Sequence, residues 1–183
     1  MTNATRTSTI FLGCALAVLG TSVMAMASDD VILVGQLVAV SPSRVRSGNL
    51  TIAALIRETL ARSETFRRLV TTIEASDGIV YVRDGTCGHG VPACLVLSVT
   101  KAGPNRLLRV LVDAKKTGWD LAGLIGHELQ HAIEVLSDPS VTNDSAVYFF
   151  YKQANPFGDH RFETDAAIQT GLRVRAEVRR AGQ

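Results

Sequence analysis

The sequence predicts an α+β fold, with helices toward both ends and a short sheet between them. Three observations carry this. Apolar residues recur at intervals of three and four, first as Leu50, Ala53, Ala54, Ile56 and Leu60, then as Phe66, Leu69, Val70 and Ile73, the spacing of two amphipathic helices. Short apolar, β-branched-rich runs follow over 78–83, 94–100 and 106–112, the last two separated by the turn Ala102-Gly103-Pro104-Asn105. A longer stretch free of proline, 119–137, then reads as a single helix stopped by Asp138-Pro139.

With 183 residues and 46% hydrophobic content, the chain can bury the core of one domain. Its first 27 residues have the pattern of an export signal. Arg6 supplies the positive end, 10–20 is an apolar run, and Ala25-Met26-Ala27 offers a small-x-small cleavage pattern before Ser28. An uncleaved anchor is disfavoured by Thr21 and Ser22 in the run, and a lipid-modified Cys14 by the poor box Phe11-Leu12-Gly13. The expectation is a signal peptide over 1–27 and one domain over 28–183, exported to the periplasm or secreted.

Of 19 Lys and Arg residues only Arg6 lies in 1–27, which leaves 18 basic against 17 acidic side chains. That near-neutral balance argues for no nucleic-acid partner and no membrane partner after signal removal. The basic stretch 173–180 reads as the solvated side of a last helix. Cys87 and Cys94 bracket a Gly- and Pro-rich loop, and in an exported protein their default is a disulfide. A second metal site from Cys87, His89 and Cys94 lacks a fourth nearby ligand.

The remaining elements follow in order. Residues 29–40 are apolar and β-branched, a strand or a lead-in, before the break Ser41-Pro42-Ser43. Ser63 before Glu64 is a helix cap. A helix over 143–153 carries Tyr148, Phe149, Phe150 and Tyr151, a loop occupies 155–161, and a last helix spans 162–180.

The chemistry concentrates in the long helix, where His127-Glu128-Leu129-Gln130-His131 reads H-E-x-x-H. Consecutive helical residues turn about 100°, so His127 and His131 lie about 40° apart on one face. Two imidazoles so placed can reach one Zn²⁺, with Glu128 beside them to act on water. With four histidines and seven glutamates in the chain, chance would produce this motif only about three times in a thousand such sequences. A carboxylate-bridged di-iron site would need a second Glu-x-x-His, and the chain has none.

On this motif and the order of elements from about residue 50, the chain resembles the zincin metallopeptidases, which implies a small zincin-like domain with a peptide or protein as substrate. In one zincin branch the motif continues H-E-x-x-H-x-x-G-x-x-H, but the later positions here are Glu134 and Ser137; the G-T-x-D pattern of another is missing. The gluzincin branch takes its third ligand from a glutamate on a later helix, and Glu163, 32 residues after His131, matches. The aspartate that follows such a glutamate by three or four positions is replaced by Ala166 and Ala167, with Asp165 only two after it. Those alanines would let the last helix pack closely.

His160 and Glu134 are the other candidates for the third ligand. Glu134 and Asp138 return to the metal-binding face of the helix, where Glu134 could orient His131 or pair with Arg161. The resemblance implies that Zn²⁺ on His127, His131 and Glu163 activates water, that Glu128 is the general base, and that the strand over 106–112 borders the substrate cleft. Tyr148, Tyr151 or His160 could supply a hydrogen bond to the transition state, although packing in the core or at its rim is the more ordinary expectation for both tyrosines. Two alternatives remain open: an exported protein that binds zinc without catalysis, and a zinc hydrolase acting on cell-wall amides.

Overall fold

The computed structural model describes residues 43–88, 90–116, 118–154 and 163–183. The signal segment with Cys14, the apolar stretch 29–40, His89 and the loop 155–162 with His160 and Arg161 lie outside the described residues.

Helices α1 (Leu50–Arg62) and α2 (Glu64–Glu74) form where the periodicity predicts them. Asn49 caps α1 by accepting from the amides of Thr51 and Ile52 at 2.9 and 3.2 Å, which satisfies donors the helix itself leaves unpaired. Ser63 caps α2 through the amide of Phe66 at 3.0 Å. Inward-facing Ile52 and Ile56 on α1, and Phe66, Leu69, Val70 and Ile73 on α2, enter one core.

The described strands are β1 (Val45–Arg46), β2 (Gly78–Asp84), β3 (Ala93–Leu95), β4 (Thr100–Ala102) and β5 (Asn105–Val112). They form one mixed sheet in the order β1-β2-β5-β3, with β4 also paired to β5. The β1–β2 and β2–β5 pairs are parallel, whereas β3 and β4 run antiparallel to β5. Side chains alternate across each strand, so Val80 and Val82 of β2 stand in register with Leu108 and Val110 of β5 on the buried face.

Five strands replace the three expected, for two physical reasons. Two-residue β1 is too short to carry a period. The run over 94–100 divides because the Ser98 amide turns back to the Val96 carbonyl at 2.6 Å and the Val99 amide donates to Asp144 at 3.2 Å, so neither extends the ladder. β5 is consequently interior, flanked by β2 and by β3 and β4. The strand over 106–112, expected to be an edge, is therefore interior, and β3 ends the sheet on that side.

Helix α3 (Gly118–Ser137) lies against β2, β3 and β5, and α5 (Asp165–Ala181) packs along α3. This double burial explains why α3 is apolar nearly all round. Its Ile125, Leu129, Ala132 and Val135 are buried, and Ala122, Gly123 and Gly126 are buried as well. Helix α4 (Asp144–Ala154) directs Val147 and Tyr151 into the core and leaves Tyr148 and Phe149 exposed. Among the described residues no helix is long and apolar enough to cross a membrane. The disulfide between Cys87 and Cys94 is present, with Cα atoms 5.9 Å apart.

Candidate metal centre

The H-E-x-x-H motif lies in the middle of α3, and its rigid turn sets the spacing of the site. The Nε2 atoms of His127 and His131 face each other at 3.1 Å. Oε2 of Glu163 stands 3.2 Å from Nε2 of His127, and Oε1 of Glu128 stands 4.0 Å from it. The ligand atoms of His127, Glu128 and His131 all lie within 4.8 Å of one another, and these three residues form a group that could hold a metal ion. Glu163 precedes the last helix instead of starting it, because Thr164 is the N-cap of α5 and accepts from the Ala167 amide at 3.1 Å.

Each histidine is oriented from behind. Nδ1 of His131 contacts Oε2 of Glu134 at 2.9 Å, and the other oxygen of Glu134 accepts from the Thr164 hydroxyl at 2.7 Å. The His127 ring hydrogen-bonds the backbone of Ala167, on the α5 side. The acceptors behind the imidazoles are therefore Glu134 and a backbone carbonyl, while Asp165 is exposed. With the rear N–H of each neutral ring engaged, its Nε2 presents a lone pair inward. The two nitrogens, 3.1 Å apart, and the Glu163 oxygen, 3.2 Å from that of His127, repel unless a proton or cation lies between them. A nitrogen, nitrogen and oxygen donor set is one that Zn²⁺ accepts, so the residues fit the ion.

Glu128 is of a different kind. Its carboxylate is buried at 5% exposure, and that burial pushes its pKa up to about 7, against the lowering influence of His131 and of a hydrogen bond from the Leu95 backbone. Since the Val96 amide is paired inward to Arg109 of β5, the alternate Leu95 amide points outward from β3, toward α3. Burial and the neighbouring His131 together lower the pKa of His127. Burial also opposes a charged His131, but its hydrogen bond to Glu134 and the surrounding carboxylates raise its pKa overall. Desolvation works against an ionised Glu134 as well, and the bonds from His131 and Thr164 outweigh it, lowering its pKa.

The other predicted site residues separate. Tyr151, 2% exposed, donates its hydroxyl to the His131 carbonyl at 3.1 Å and sets its ring edge against the His131 ring. It braces α3 from within the core. Tyr148, 42% exposed, lies beside Phe149 and Lys152. Asp138 falls beyond the helix end, where it accepts from the Ser140 amide at 2.8 Å; this corrects its assignment to the metal-binding face. Ala166 is exposed and only Ala167 is buried, so close packing depends on other residues.

Those residues are glycines. A Cβ on Gly171 would come within 3.0 Å of both the Gly123 carbonyl oxygen and Cβ of His127, and one on Gly126 within 2.8 Å of Val174. The sequence does hold a signal for this contact, namely Gly123, Gly126 and Gly171 inside otherwise helical stretches, a pattern that marks close approach. Thr164 and the Leu95 amide leave no comparable mark.

No family model matches the chain, and neither a curated protein nor a solved structure matches it.

Proposed function

We propose that this protein is an exported zinc-dependent peptidase of gluzincin type, with His127, His131 and Glu163 as metal ligands and Glu128 as general base. The observation that carries this reading is the convergence of the two Nε2 atoms at 3.1 Å with the Glu163 carboxylate 3.2 Å from one of them, next to a buried glutamate. When bound, Zn²⁺ supplies a Lewis acid that acidifies water and polarises a carbonyl oxygen.

The chain's own residues have separable tasks in this reading. Glu134 and Ala167 hold the imidazoles with their Nε2 atoms inward. Glu128, buried next to the two histidines, is placed to take a proton from water and return it to a leaving amine. The Leu95 amide holds the carboxylate against β3. The disulfide supports the exported location, because such bonds persist in oxidising compartments.

The test combines metal content with turnover. The wild type is expected to bind zinc in one-to-one ratio and to cleave a diverse peptide library, whereas Glu128→Gln keeps its zinc and loses about 10²–10⁴-fold in rate. Zinc retention with no cleaved peptide from the wild type would overturn the peptidase reading. Release of cell-wall fragments by that same protein would assign it to amide hydrolysis in the wall.

A further inference from the structure

Beside His127 a cleft of about 430 Å³ runs over the closely packed pair α3 and α5. Pro92, Leu124, Ile168 and Leu172 give it apolar walls, and His127 lines it too. Ile168 and Leu172, one turn apart on the α5 wall of the cleft, are 40% and 54% exposed. The disulfide-closed loop ends at this wall, with Pro92 two residues before Cys94.

Asp120 and Arg175 stand about two turns along α3 and α5 from His127 and Ile168, and Lys116 also lines the cleft. Arg175 is paired to that aspartate at 2.7 Å, and Lys116 has no ion-pair partner among the described residues. A second hollow shares Leu172 and Arg175 with the first and continues to Arg179 and Arg180 at the end of α5. The Arg179 guanidinium stands 5.9 Å from the centre of the Trp119 ring. Four basic side chains and one acidic side chain thus border a groove that includes an apolar pocket beside His127.

We infer that this cleft selects substrate: it takes a peptide with a bulky aliphatic residue next to the scissile bond and a run of Asp or Glu on the same side of that bond. This specificity rests on the hydrolytic reading of His127, Glu128 and His131. The apolar pocket removes an aliphatic side chain from water, while the basic strip attracts the acidic run and sets its direction. Exposed cations give this second part a strong dependence on salt.

Binding and cleavage, measured separately, test it. Zinc-loaded full-length Glu128→Gln protein is titrated into three fluorescent peptides, carrying leucine beside a run of glutamates, leucine beside a run of lysines, or glycine beside a run of glutamates. The first is expected to bind at least about tenfold more tightly than either control, with the margin over the lysine peptide shrinking as salt rises from low to about 0.5 M. Adding the exposed changes Lys116→Glu and Arg179→Glu should abolish the preference for glutamate, and Leu172→Ser the preference for leucine over glycine. The salt series on the otherwise unaltered chain reads the basic strip without those changes. Equal binding of the three peptides overturns the inference. Cleavage by the wild type with no enrichment of acidic residues near the cut overturns it too, leaving the peptidase reading intact. Selective binding of the first peptide without cleavage by the wild type upholds the groove and overturns the peptidase reading.

Discussion

At the scale of single residues, Glu128 and Glu134 show how one side-chain type acquires opposite properties from its surroundings. Burial raises Glu128 to about 7 from an ordinary 4.5, so the folded chain holds that proton more tightly than the unfolded chain. Its contribution to stability is full below about 4.5 and declines as pH rises to about 7. In metal-free protein that decline amounts to about 3 kcal/mol. Urea unfolding at pH 5 and pH 8 should therefore show the wild type losing about that much relative to Glu128→Gln; parallel behaviour would mean that the carboxylate is solvated. Glu134 has the reverse sign, since its lowered pKa contributes stability above the ordinary value that is lost as pH falls. Its main task is holding His131. Glu134→Ala should weaken zinc binding by about 10–100-fold, read by competition with a chelator, and undiminished affinity would remove it from the site. The positions of His127, Glu128 and His131 were legible from spacing alone, because a helix turns by a constant angle. The partnership of Glu134 with Thr164 was not, because residues thirty positions apart meet only when two helices dock.

At the scale of elements, the pair α3 and α5 decides whether the centre exists. Glu163, Thr164 and Ala167 approach the histidines only because glycine at 123, 126 and 171 brings the helix backbones together. Gly171→Val would force a side chain into the Gly123 carbonyl and His127. The expected result is a Tm lower by roughly 5 °C or more and zinc affinity reduced by about tenfold or more, from circular dichroism and chelator competition. Unchanged affinity would show that α5 does not position the ligands. Helix boundaries followed from capping residues in the sequence, as at Asn49 and Ser63. Strand pairing was only partly legible, since 106–112 has the composition of a strand in either an interior or an edge position. Which neighbours pair with it depends on the chain bending at Ser98 and on Val99 donating to Asp144.

At the scale of the whole molecule, two polar clusters tie distant segments together. Arg106, 3% exposed, projects from β5 into the end of α3. It donates to the carbonyls of Val135, Leu136, Asp138 and Val141 and grips Asp77 through Nε and Nη2. A helix end leaves its last carbonyls without partners, and this guanidinium supplies four of the hydrogen bonds needed there and in the following turn. Glu177 of α5 accepts from the Ser63 and Thr65 hydroxyls at 2.6 and 2.7 Å, and from the Thr65 amide at 3.0 Å, closing α5 onto the α1–α2 junction. Arg106→Met removes the donors and strands the carbonyls in the interior, which should cost roughly 3 kcal/mol or more and lower Tm by about 10 °C. A loss under about 1 kcal/mol in urea unfolding would show that water replaces the arginine at little cost.

The sequence by itself determined the α+β class, the main helices, the pair Cys87 and Cys94, and the group formed by His127, Glu128 and His131. Each follows from a local rule: a helical or alternating period, a capping residue, a compartment or a turn angle. Tertiary structure alone decided that β3 is the edge beside Glu128, that the Tyr151 hydroxyl meets the His131 carbonyl, and that Glu163 stands before α5 at the His127 ring. Those outcomes depend on how closely separate elements pack and on which buried polar groups find partners, and no local period encodes either.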